Sequence, residues 1–114
     1  MAAPRMRRVN EVLREVIGSS LAAELSDPRI GFVTVTSVET SPDLRSAKVY
    51  VSVLGDEDAR EAALAGLRSS HGVLQSKIAA ETRMKRTPTL SFHYDPTVER
   101  GMRISELLEE GEGE

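Results

Sequence analysis

Cysteine and tryptophan are both absent from the 114 residues. Without cysteine there is no disulfide staple, thiol nucleophile or cysteine-based zinc site. Aromatic residues make up 4% of the chain, too few for the ring platform on which RRM-type domains stack bases. Two histidines, His71 and His93, fall short of a His-based metal site. No apolar run approaches the ~20 residues that span a bilayer, and the opening MAAPRMRRVNEVL lacks the unbroken apolar stretch of a signal peptide. There is no P-loop, GxGxxG, G-x-S-x-G elbow or H-E-x-x-H. The acidic run DEDAR from Asp56 lacks the glycine and closing glutamate of an EF-hand loop. These absences predict a soluble, cytoplasmic, monomeric protein that is not an enzyme, binds no cofactor or metal and has no membrane segment.

What is present suits one small globular domain: 39% hydrophobic and 29% charged residues. Val9, Val12, Leu13, Val16, Ile17, Leu21 and Leu25 recur at three- and four-residue spacing, predicting a helix from Pro4 to about Leu25. SDPRIG ends it. FVTVTSVET reads as a strand over 32–40, SPD as a turn, and LRSAKVYVSVL as a second strand with Ala47, Val49, Val51 and Val53 on one face. GDED supplies a helix cap at Asp56 or Asp58. A helix bearing Ala63, Leu64 and Leu67 follows, then, after Gly72, a second stretch with Val73, Leu74 and Ile78 that should run to about Arg86. TLSFHY after Pro88 is a third strand. Asp95-Pro96 opens a last helix with Val98, Met102, Ile104, Leu107 and Leu108, over 96–110, packed on or beside the domain of 1–95. An acidic disordered tail, 111–114, ends the chain. About thirty residues between strands two and three fit a parallel, right-handed crossover. The expected fold is α+β, a three-stranded mixed sheet covered on one side by helices.

The net charge of −3 hides an asymmetry. Removing Glu106, Glu109, Glu110, Glu112 and Glu114 from 18 acidic residues leaves 13 against 15 basic ones. Basic residues gather at Arg5, Arg7 and Arg8, and again at Arg68, Lys77, Arg83, Lys85 and Arg86. Between the last two helical stretches stands LRSSHGVLQSK, where Gly72 costs about 1 kcal/mol against alanine in a helix interior. A break there frees helix N-terminal amides, Ser70 and His71 add short polar groups, and Gly72 lets another backbone approach. Free amides beside cations suit phosphate. The KH module clamps a nucleic-acid backbone in a related way, with a Gly-rich turn between two helices; here the G-x-x-G turn is replaced by a tighter corner. The candidate RNA-binding residues are therefore Arg5, Arg7, Arg8, Arg68, Ser70, His71, Gly72, Lys77, Arg83, Lys85 and Arg86.

Two stretches carry a family likeness. DPRIGFVTVTSVETSPDLRSAKVYVSV resembles the first signature of bacterial ribosome-binding factor A, and TPTLSFHYDPTVERGMRISELL resembles its second. The likeness implies a type II KH-like domain, ordered α-β-β-α-kink-α-β, with an interrupted helix at an Ala-x-Gly corner. Ser70-His71-Gly72 falls on that corner, with Ser70 where the family commonly has alanine. It further implies an assembly factor that binds the free small (30S) ribosomal subunit and its rRNA. That factor would assist late maturation and 16S rRNA processing near the 5′-terminal helix, with a link to growth in the cold. A protein-interaction module for ribosomal proteins or an assembly GTPase is the alternative. No role beyond a turn follows from the residues for Asp27-Pro28-Arg29.

Overall fold

Twenty residues form α1 (Pro4–Ala23), opening on the proline that a first helical turn accepts. The computed structural model describes residues 4–23, 30, 32–84 and 86–97. Leu13, Val16 and Ile17 turn inward at helical spacing and are buried, whereas Val12 stands 39% exposed at the edge of that stripe. Ser20 is buried on the same face because its hydroxyl donates to the Val16 carbonyl at 2.8 Å. Asn10 accepts from the Thr40 amide at 2.9 Å, which pins α1 to the end of the strand beneath it.

Strands β1 (Val33–Thr40) and β2 (Ser46–Val53) pair antiparallel, Val33 opposite Val53 and Thr40 opposite Ala47. Strand β3 (Thr89–Tyr94) runs parallel to β2, with Ser46 beside Thr89 and Val51 beside Tyr94. β2 is thus central, as its unbroken apolar face implied. Ala47, Val49 and Val51 from β2 and Leu90 and Phe92 from β3 meet Leu13, Ile17, Leu67, Leu74 and Ile78 in a single core. Each of these side chains larger than alanine contributes about 1.5–3 kcal/mol on burial. The opposite sheet face carries exposed Glu39, Lys48, Ser91 and His93. The element order and the mixed three-stranded sheet are those expected.

Strict alternation along β1 would have turned Ser37 inward and Val38 outward. A bulge between Val35 and Ser37 makes Thr36 the extra residue, and Val38 is buried as a result. The Thr36 hydroxyl donates to Asp95 Oδ2 at 2.7 Å, tying the bulge to the chain just past β3. That bond is the first cause, and Thr97 the second, that holds the Asp95 carboxyl below its usual range.

Asp56 caps α2 (Glu57–Ser69), its Oδ1 accepting from the Ala59 amide at 2.8 Å. Gly55 before it lies at φ 130°, and a Cβ there would stand 2.8 Å from the Ala59 Cβ, so only glycine fits. Helix α3 (His71–Glu81) departs from expectation at both ends. It starts before Gly72, which lies inside it. It stops five residues short of Arg86, because Thr82 turns extended at φ −120°, ψ 165° while its hydroxyl donates to the Ile78 carbonyl at 2.7 Å. Arg83 and Arg86 therefore sit on the connection to β3. The helix expected over 96–110, the tail at 111–114, Lys85 and Asp27-Pro28-Arg29 lie outside the described residues.

Candidate nucleic-acid interface

A single non-helical residue separates α2 from α3. Ser70 closes the first helix, its amide donating to the Gly66 and Leu67 carbonyls at 3.1 and 3.0 Å. It opens the second by accepting from Leu74 at 3.1 Å. Its φ −95°, ψ 5° departs from helical ψ of about −42°, and that rotation makes the corner. The serine hydroxyl makes no capping bond, so it is free to rotate toward an outside partner. The amides of His71, Gly72 and Val73, as the first of α3, have no partner within their own helix. His71, Gly72 and Val73 are all exposed. A Cβ on Gly72 would meet nothing within 4 Å, so packing does not call for glycine here. Arg68 flanks the corner, with its guanidinium donating to the Phe92 carbonyl at 3.3 Å. The His71 ring nitrogen Nδ1 lies 2.9 Å from the Arg68 carbonyl.

The second cluster lies at the other end of α3, about 16 Å away by helical rise. Three segments converge on an open groove of about 570 Å³: the start of α1 with Arg5 and Val9, the β1–β2 turn with Asp43, Leu44 and Arg45, and the α3–β3 connection with Arg83, Met84 and Arg86. A smaller depression of about 230 Å³ shares Arg5, Val9 and Met84 and adds Arg8. Val9, Leu44 and Met84 give the groove an apolar floor, and arginines form its rim. Leu44 holds its place at φ 61°, a left-handed conformation that costs an L-residue about 1–2 kcal/mol. Its amide donates to the Ser41 carbonyl at 2.9 Å.

Among the described residues, Arg5, Arg8, Arg83 and Arg86 have no carboxylate partner; Arg45 reaches Asp43 at 4.0 Å, both side chains being exposed. The Asp43 carboxyl is held below its usual range first by the Ser41 hydroxyl, at 2.6 Å, and then by the Arg45 amide, at 3.0 Å. Among the described residues, Asp43 is thus the single carboxylate lining a groove with four arginines.

The eleven candidate residues do not form one patch. Arg5, Arg83 and Arg86 gather at the groove, Arg8 at the smaller depression beside it, and Arg68, Ser70, His71 and Gly72 at the corner. Arg7 points into a separate cleft along β1 with Asn10, Glu11 and Arg14, where Arg14 pairs with Glu11. Lys77 is half-buried midway along α3, and Lys85 is outside the described residues. Leu44, Arg45 and Met84 went unnoticed in the sequence; the adjacency of Arg45 to the SPDL turn was their only local signal. Among the described residues no group of three or more His, Asp or Glu could hold a metal ion. No helix there is long and apolar enough to cross a membrane.

The family model described as ribosome-binding factor A matches residues 5–108. The chain is similar to the solution NMR structure of a Thermotoga maritima protein described as a putative ribosome-binding factor A, at 32% identity and TM-score 0.74, covering 82% of this chain and 89% of that one. It is similar to the crystal structure of Thermus thermophilus ribosome-binding factor A, at 30% identity and TM-score 0.71, covering 78% and 93%. A third likeness, at 31% identity and TM-score 0.64 over 76% and 91%, is to a homology model of the Thermus thermophilus factor fitted into a cryo-EM map of a 30S–RbfA complex.

Proposed function

The chain belongs to the ribosome-binding factor A family, and from that premise we propose that it docks on the free small ribosomal subunit through rRNA phosphates. The groove and the corner would grip the backbone at two points along α3. The observation that carries the reading is the set of rim arginines without carboxylate partners among the described residues. Unpaired cations crowded together repel one another and gain from an anion that bridges them. Arginine suits the task better than lysine because its planar fork donates two parallel hydrogen bonds to phosphate. At the corner, unpartnered amides at a helix start offer a second phosphate seat.

The role is assistance in late maturation and 16S rRNA processing near the 5′-terminal rRNA helix, in the cytoplasm, by binding rather than chemistry. The T. thermophilus relative fitted into a 30S complex supports the choice of partner. Counterion release makes such binding steeply salt-dependent, with a log–log slope of about 0.7 per phosphate on single-stranded RNA. Four groove contacts would give a slope near 3 by that rule. Reversing Arg5, Arg83 and Arg86 to glutamate should abolish co-sedimentation with free small subunits and leave the circular-dichroism spectrum unchanged. Normal co-sedimentation of that triple variant, or wild-type binding insensitive to salt and to nuclease, would sink the reading and favour a protein-contact module.

A further inference from the structure

The groove's cations call for an anion even when no RNA is near, and this chain carries one. Five of its glutamates, Glu106, Glu109, Glu110, Glu112 and Glu114, fall within 106–114 and enclose the pair Leu107-Leu108. A leucine pair flanked by carboxylates matches an apolar floor with an arginine rim better than a bare polyphosphate does. We propose that residues 106–114 of the same chain occupy the arginine groove, as an internal polyanion that rRNA must displace.

Distance and charge both permit it. Thr89 starts β3 beside the groove, its amide bonded to the Arg45 carbonyl. The chain leaves the sheet at the other end, where the Asp95 amide bonds to the Val51 carbonyl. Six residues of strand, Thr89–Tyr94, put the exit of β3 about 20 Å from the groove. Residues 98–106, if extended, span about 30 Å. If 98–108 were helical they would rise about 16 Å, and six further extended residues would add about 20 Å. The carboxylates reach the rim in either case. The exit point is net acidic, for exposed Asp56, Glu57, Asp58 and Glu61 open α2 there against Arg60, which lies 3.8 Å over the Tyr94 ring, so local repulsion drives the segment away from that end. A tether this short holds the tail at an effective concentration of about a millimolar. Weak ion pairs then suffice to fill the groove.

The absence of cysteine makes the test direct. A single Gly113→Cys variant carries one nitroxide label and keeps every carboxylate. Amide signals of Val9, Leu44 and Arg45 and the Met84 methyl should broaden at about 50 mM salt and recover at about 500 mM. Those of Gly72 and Val73, about 16 Å farther along α3, should broaden much less. No broadening at the groove, or broadening only elsewhere, overturns the proposal. So does broadening seen only when labelled chains are mixed with unlabelled, isotope-enriched ones, which would make a second copy the occupant. The consequence for RNA rests on the function proposed above. If the tail fills the groove nine-tenths of the time, changing all five glutamates to glutamine in the full chain tightens small-subunit binding about tenfold. Groove contact without that gain would overturn the RNA reading of the groove and leave the docking intact.

Discussion

The arginine groove and the helix corner lie at opposite ends of α3, and they are built by different means. Three segments distant in sequence make the groove, and one of them is held by a leucine in a left-handed conformation. It concentrates charge over an apolar floor. Four consecutive residues make the corner, none of them strained: Gly72 has no positive φ and empty space where a side chain would go. It offers backbone amides with little charge beside them, and its one arginine is already bonded to Phe92. A strained, long-range site supplies electrostatic strength, and an open, local one supplies room for close approach.

The largest expected effect separates the two by charge. Arg83→Ala with Arg86→Ala should lower the salt slope of rRNA binding by about 1.4 and weaken binding tenfold or more. Arg68→Ala with His71→Ala should lower it by less than half as much, since Arg68 is partly spent on the Phe92 carbonyl. Equal losses in a salt titration would erase the distinction and make both ends one continuous surface.

A smaller effect separates fold from function at the corner. Gly72→Ala gains helix propensity in open space and should stabilise the protein by about 0.4–1 kcal/mol, raising the melting temperature by a few degrees. If a partner backbone uses the missing Cβ, the same variant binds small subunits less tightly. A variant that melts higher and binds as before would remove the corner from the interface.

SSHG marked the corner to within two residues, although the break falls at Ser70 without a side-chain cap and Gly72 lies inside α3. The strands were legible: period-two valines in β2 specify its buried face without outside help. The groove was not legible. Arg83 and Arg86 looked like the end of a helix, and only the Thr82 hydroxyl returning to Ile78 and the extended backbone after it put them on a connection. Leu44 looked like the start of a strand, and nothing local marks a leucine at φ 61°. The bulge at Thr36 depends on Asp95, 59 residues away, and pairings of that range leave no periodic trace. Long-range convergence hid half of the candidate interface.

Asp43 gives the finest test of the groove. It is the one lining carboxylate of the groove among the described residues and repels phosphate, yet its Oδ1 holds the turn by accepting from Ser41 and Arg45. Asp43→Asn keeps an oxygen in that place and removes the charge, so the turn should persist while rRNA binding tightens by about two- to threefold at low salt. The pH dependence follows from the sign of the shift. The folded carboxyl is depressed below its ordinary 3.8, so its contribution to stability is complete above that value and is lost as pH falls through the lower folded one. Asp43→Asn should therefore lower stability slightly near pH 7, where the charged form contributes in full, and flatten the acid side of the melting profile, where the variant has no such contribution left to lose. Binding that weakens in Asp43→Asn, with the fold intact by circular dichroism, would mean that the carboxylate aims Arg45 at the phosphate rather than opposing it, a positioning role with no counterpart at the corner.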